Sequence, residues 1–198
     1  MSEASIGEQQ LRALYGEPRD LVREAWAPEL EATTRAFIQA SPFMVLSSIN
    51  AEGFVDTSPR GGPPGFVQVV DSRHLRFLDQ PGNRKVHTLT NLLGHNKVGL
   101  CFFIPGIKEV VRAHGIATTS DDPGVIAAMG GNPERNKLFI TIALTKVFPH
   151  CSNALNKAGL WDPNSWRKGR DGDIPTLMQM AQSLAAALVV KQDITTAS

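Results

Sequence analysis

Residues 43–58 read FMVLSSINAEGFVDTS, and this stretch decides the fold class. Phe43 to Ile49 is an apolar run of strand length. Asn50-Ala51-Glu52-Gly53 has the composition of a turn, and Phe54 to Ser58 returns as a second strand. The downstream sequence repeats the pattern. Phe66 to Val70 is a third strand candidate, Asp71-Ser72 a turn, and His74 to Asp79 an alternating fourth. Val98 to Ile104 is a fifth, apolar enough to expect burial on both faces. Glu109 to Thr119 is a sixth, with Gly115 inside it as the expected bulge or bend. Leu138 to Phe148 is a long final strand rich in β-formers. Between these strands helices are expected at 86–93, closed by Gly94, and at 122–130. Strands in hairpin-like succession with so few helices between them do not make a βαβ sheet. They predict a mainly β fold, an antiparallel barrel of six or seven strands.

Working outward, residues 5–40 read as helices. Leu11, Leu14 and Tyr15 share one face, Pro18 and Pro28 suit first helical turns, and Leu30, Phe37 and Ile38 lie near one stripe. At the other end, residues 162–175 read as a loop. From Asp173 onward Ile174, Leu177, Met178, Ala181, Leu184, Ala185 and Leu188 recur at helical spacing, an amphipathic pattern that needs a surface to cover it. The expected organisation is a helical extension over 1–40, a barrel over 41–161, and a loop with a terminal helix over 162–198, all within a single domain.

Composition excludes several function classes. A formal net charge of +1, with no Lys/Arg run, disfavours nucleic acid as a partner. No apolar stretch reaches the ~20 residues of a membrane span, and the polar, acidic opening is not that of a signal peptide, so a soluble cytoplasmic protein is expected. Cys101 and Cys151 form neither a metal spacing nor a disulfide framework, and Cys101 reads as a buried core thiol. His74, His87, His95, His114 and His150 show no ligand spacing, so no metal site is expected. The His150-Cys151 pair is poorly placed for nucleophilic chemistry, because neighbours on an extended chain point to opposite sides.

Two loops carry the candidate chemistry. The first, DTSPRGGPPG (56–65), excludes a regular strand or helix by its composition. It offers backbone N–H groups that a ligand can approach, the Ser58 hydroxyl and the Arg60 guanidinium, a planar fork suited to phosphate. The second, DQPGNRK (79–85), joins a strand end to a helix start, where free N–H groups favour anions and where Arg84 and Lys85 add two cations. Either loop alone reads equally well as a solvated turn; two basic loops at the ends of neighbouring strands suit one phosphate. No dinucleotide or nucleoside triphosphate glycine motif is present. No Ser-His-Asp ordering and no carboxylate pair stands out either, which fits a cofactor that brings its own chemistry.

At three ordered strings the sequence resembles a known family: DTSPRGGPPGFVQVVD (56–71), FLDQPGNRKVHTLTNLLGHNKVGLCFFIPG (77–106) and HCSNALNKAGLW (150–161). These are similar to the pyridoxamine 5′-phosphate oxidase-related FMN-binding proteins, in a branch of FMN-dependent enzymes with unassigned substrates. The resemblance runs from about Phe37 to Trp161. It implies a split β-barrel and a homodimer with FMN at the interface. It implies that Ser58, Arg60 and Gly61 lie along the flavin, and that Asn83, Arg84 and Lys85, with Asp79 opening their loop, line its phosphate end. It implies that the segment His150 to Trp161, including Lys157, approaches the cofactor from the partner subunit. The chain departs from the branch at Asn153, commonly Lys, and at Ala158, commonly Ser. It ends in Thr195-Thr196-Ala197-Ser198 where true pyridoxamine phosphate oxidases carry an Arg-x-His segment, so oxidation of pyridoxamine phosphate itself is not expected. The expected function is an FMN-dependent oxidoreductase with an unidentified small-molecule substrate and no assigned catalytic residue. The competing readings are a flavin store or redox sensor without turnover, and a split barrel using deazaflavin or haem.

Overall fold

A computed structural model describes residues 6–196 apart from 83, 152, 171 and 173, with side chains through residue 188. The chain divides into two compact units, Met1–Trp161 and Asp162–Ser198.

The first unit opens with three helices, α1 (Glu8–Tyr15), α2 (Asp20–Glu24) and α3 (Ala32–Ala40). The first two bury nothing, and Leu11, Leu14 and Tyr15 are exposed. Helix α3 packs on the barrel through Ile38, which is fully buried, and through Phe37. Seven strands follow: β1 (Phe43–Ile49), β2 (Val55–Gly61), β3 (Val67–Val69), β4 (His74–Leu78), β5 (Lys97–Phe103), β6 (Val110–Ser120) and β7 (Phe139–His150). They form one antiparallel sheet in the order β2-β1-β5-β6-β7-β4-β3, a curled half-barrel. Helix α4 (His87–Gly94) links β4 to β5, and α5 (Pro123–Ala128) links β6 to β7. Asp122 caps α5, accepting from the N–H groups of Gly124 and Val125 at 2.8 and 3.0 Å. A short helix, α6 (Asn153–Lys157), follows β7.

The mainly β, split-barrel expectation therefore holds. Two local readings need correction. The run from Asp56 into the glycines is not irregular: Val55–Gly61 pairs residue by residue with β1, Arg60 opposite Met44 and Gly61 opposite Phe43. Composition misleads here because β2 is an edge strand. At an edge the N–H that Pro59 lacks need not have a ladder partner. Irregular chain begins at Gly62, where an added Cβ would sit 2.7 Å from Cβ of Phe66, so only glycine fits. Second, β5 is buried on one face only. Val98, Leu100 and Phe102 point into the core, while Gly99, Cys101 and Phe103 are half-buried on the outer face. Cys101 is thus not a core thiol; partial burial still pushes its pKa up, which leaves it less thiolate than an ordinary cysteine.

Gly115 carries the expected bulge: the β6–β7 register shifts between His114 and Gly115. A Cβ there would lie 2.5 Å from Cγ2 of Ile142 and 2.6 Å from the carbonyl oxygen of Ala143, so the backbones meet closely. The core inside the curl is built from Met44, Leu46, Leu75, Phe77, Phe102, Ile140 and Ile142.

The segment between α2 and α3 is tied across the β3–β4 turn. The Leu30 N–H donates to Ser72 O at 2.7 Å, and the Glu29 carboxylate accepts from Ser72 Oγ at 2.9 Å and Arg73 Nε at 3.1 Å. The hydrogen bond from Arg73, then that from Ser72, holds the Glu29 pKa below the ordinary carboxylate value. A carboxyl whose pKa is depressed in the folded state stabilises above its unfolded value and loses that contribution as pH falls through the folded one. The urea midpoint of Glu29→Gln should therefore lie slightly below wild type at neutral pH, and the difference should vanish in acid; a difference that persists in acid rules the carboxylate out as its source.

In the second unit, Pro163–Ser165 form a 3₁₀ turn and α7 spans Leu177–Thr196. The helix starts later than the pattern from Asp173 suggested, and Asp173 lies outside the described residues. Its start is set by Thr176, whose Oγ1 accepts from the Gln179 N–H at 3.1 Å while Gln179 Oε1 accepts from the Thr176 N–H at 2.7 Å. Leu177, Met178, Leu184 and Leu188 are exposed. Among the described residues no helix is long and apolar enough to cross a membrane.

Candidate functional site

The period of two along β2 builds one wall of the site. Asp56, Ser58 and Arg60 stand opposite Ser48, Leu46 and Met44, whose side chains face inward, and all three are half-buried; Thr57, Pro59 and Gly61 alternate outward and are exposed. Gly61, with no side chain, can contribute only its backbone N–H and carbonyl to the site.

Arg60 then reaches across the opening of the curl. Its Nη1 donates to Asp79 Oδ1 at 3.0 Å, with the two side chains only 19% and 24% exposed. Strand β2 is one end of the sheet and β4 lies next to the other, so this ion pair joins the two lips of the split. It also brings the first candidate loop to the start of the second, although β2 and β4 are not paired. Asp79 is held from both sides: its N–H donates to Leu138 O at 2.9 Å, and its carbonyl accepts from Nδ2 of the buried Asn136 at 3.2 Å. The Nε–H of Arg60 is buried and has no acceptor among the described residues.

Beyond Asp79 the loop runs through Gln80, Pro81 and Gly82; Asn83 lies outside the described residues. Arg84 and Lys85 are both exposed. Arg84 has φ 63° and Val86 φ 48°, a left-handed backbone that ordinary residues seldom adopt and a β-branched one hardly ever. Such strain costs of order 1–3 kcal/mol per residue and gathers at ligand clamps. Val86 stands at the N-cap of α4 and supplies no side-chain cap, so the first N–H groups of the helix are left to another acceptor. Two cations followed by uncapped helical amides make an anion-favouring corner.

A third element was not legible in the sequence. Asn91, buried on α4, donates from Nδ2 to Ser48 Oγ at 2.9 Å and to Asp56 Oδ2 at 2.8 Å. These bonds fasten α4, and with it the Arg84–Lys85 loop, to β1 and β2. They join residues 43 and 35 positions apart, and no local pattern announces them. Replacing Asn91 by Leu leaves a carboxylate and a hydroxyl without their donor. It should cost about 1–3 kcal/mol, read as a lower urea midpoint; an unchanged midpoint would show that water replaces the amide.

The third predicted segment stands apart. His150 ends β7 opposite Val110 and is exposed, as is Lys157 on α6; Trp161 is half-buried, its indole N–H covered and without an acceptor among the described residues. Gly61, Phe43, Phe103, Val110 and His150 form one row across five neighbouring strands. Four interstrand steps of ~4.8 Å put His150 on the order of 19 Å from Gly61 along the sheet. The bonds of Arg60 and Asp79 reach none of these residues. Among the described residues no cluster of His, Cys, Asp or Glu suits a metal ion.

A curled antiparallel sheet whose lips are bridged by an ion pair defines the class, a split β-barrel. The chain belongs to the pyridoxamine 5′-phosphate oxidase family, whose model matches residues 30–151. No curated protein matches it. Among solved structures it is similar to HupZ of Group A Streptococcus, at 14% identity and a TM-score of 0.51, covering 62% of this chain and 95% of that one. A candidate pyridoxamine 5′-phosphate oxidase of Lactobacillus delbrueckii aligns at 21% identity and a TM-score of 0.49, over 62% and 95% of the two chains. The Mycobacterium tuberculosis protein Rv2991 aligns at 13% identity and 0.49, over 77% and 97%. At these identities the likeness is one of fold.

Proposed function

We propose that the protein binds FMN at the split of its barrel and acts, as a homodimer, in oxidoreduction of a small molecule. The observation that carries this reading is the Arg60–Asp79 bond across the split, which ties the half-buried β2 face to the first residue of the loop that runs on to Arg84 and Lys85. The donors present fit such a ligand. Among the described residues, Arg60 has a buried N–H with no acceptor, and α4 opens without a side-chain cap. In this reading Asn83, Arg84, Lys85 and the α4 amides hold the phosphate, while Ser58, Arg60 and the backbone at Gly61 line the ring. Bound FMN supplies the two-electron chemistry; the chain positions it and keeps water from one side of it. His150, Lys157 and Trp161 come from the partner subunit, in keeping with their separation from Gly61 within one chain.

A dimer is supported by the outer face of the sheet, where Phe43, Cys101 and Phe103 leave apolar surface uncovered. One observation favours a reading without turnover: the carboxylates of Asp56 and Asp79, beside the split, are both already hydrogen-bonded, to Asn91 and Arg60. The visible spectrum of the purified protein is the first test, combined with light scattering. Flavin bands at one per chain in a dimer support the proposal, and catalytic cycling with a dye separates an enzyme from a store. A haem or deazaflavin spectrum, or no uptake of added FMN, overturns it.

A further inference from the structure

The Arg60–Asp79 pair bears on which part of a ligand each cation can serve. A guanidinium with a carboxylate oxygen 3.0 Å away carries little net charge toward a third group. Any phosphate close enough to Arg60 to gain from its charge would be repelled by Asp79 at nearly the same distance, and the pair is sheltered enough for that repulsion to count. A neutral acceptor meets no such opposition. Meanwhile Asp79 accepts from Nη1, and the buried Nε–H has no acceptor among the described residues, an unsatisfied donor that favours a ligand atom able to accept from it. Arg84 is exposed, makes no ion pair among the described residues, and precedes a helix whose N-cap residue, Val86, supplies no side-chain cap.

The geometry points to Asp79 as the positioning residue of this site: it fixes the Arg60 guanidinium and cancels its charge, so that Arg60 serves as a directional donor to an uncharged ligand atom while the anionic end is left to the Arg84–Lys85 corner. The inference rests on the flavin reading above, which already divides ring and phosphate between the two loops, and adds the part that Asp79 plays. It also assigns Asp79 a role in redox poise. Reduction adds negative charge to a flavin ring, and an unmasked Arg60 beside the ring would favour the reduced form.

The test uses the full chain, with FMN and riboflavin as probes. Asp79→Asn is isosteric and keeps a group that can meet Arg60. It should raise the ratio of affinities for reduced over oxidised FMN about tenfold, an upward shift of about 30 mV in the two-electron midpoint potential. Asp79→Glu should restore the potential, and the preference for FMN over riboflavin should stay unchanged in both. An unchanged potential together with lost stability would reduce Asp79 to a strut between the lips of the barrel and overturn the inference. So would a gain in FMN affinity that riboflavin does not share, because the freed charge would then be reading the phosphate. If Asp79→Asn does not fold, Arg60→Gln decides: equal losses for both flavins support the inference and a loss confined to FMN overturns it. Wild-type protein that takes up neither flavin refutes the flavin reading itself, and is seen in the first titration.

Discussion

Removing both cations of the second loop, Arg84→Ala with Lys85→Ala, should weaken FMN binding a hundredfold or more, while riboflavin binding hardly changes. Hydrogen bonds to charged groups contribute about 1.5–3 kcal/mol each, and 1.4 kcal/mol is a factor of ten in affinity. Two such groups on one phosphate therefore predict a loss of about 3 kcal/mol or more. Arg84→Ala alone should cost about 1–3 kcal/mol. The loss should also shrink as salt rises, since both side chains are exposed and salt screens exposed charges. Fluorescence titration of the apoprotein with the two flavins measures all of this. Equal losses for FMN and riboflavin would place the ring, not the phosphate, at Arg84.

The largest effect on stability should come from Phe102→Ala. Phe102 is wholly buried at the centre of β5, with Met44 opposite it on β1 and Val111 on β6. Emptying a site walled by paired strands leaves a cavity that the backbone cannot close, and such substitutions cost about 3–5 kcal/mol. For a domain with ordinary stability of about 5–15 kcal/mol that is a large share. Urea unfolding followed by tryptophan fluorescence reads it as a fall in midpoint; a loss below about 1 kcal/mol would show that neighbouring side chains refill the space. Phe103, one residue on, faces the outer side of the sheet. Its replacement should act on self-association before it acts on folding.

The sequence made the strands legible because their residues alternate or run apolar between turns, signals that neighbours in the chain carry by themselves. Hairpin succession then left few architectures open. The same local logic failed at 56–61, where Pro59 and the glycines argue against a strand and the decisive fact, an edge position, depends on β1. It failed again at β5, whose apolar composition cannot say that one face would stay half-covered. Of the candidate site, Arg60, Arg84 and Lys85 were readable as residue types that suit a phosphate, and Asp79 only as the residue that opens the second loop. Their mutual arrangement was not. That Arg60 would be spoken for by Asp79 is a fact about the curl of the sheet, which brings residues 19 apart into contact. Asn91 was invisible for the same reason, since an amide inside a helix advertises no partner.

Pro59 has one more effect, on how the protein behaves in a crowded solution. A sheet that ends in a long, regular, uncapped strand invites another chain to add itself alongside. Here one terminal strand is interrupted by a residue that cannot donate, and the other, β3, is only three residues long. Neither rim gives an incoming strand a long unbroken row of donors and acceptors, so both are poor templates for strand addition.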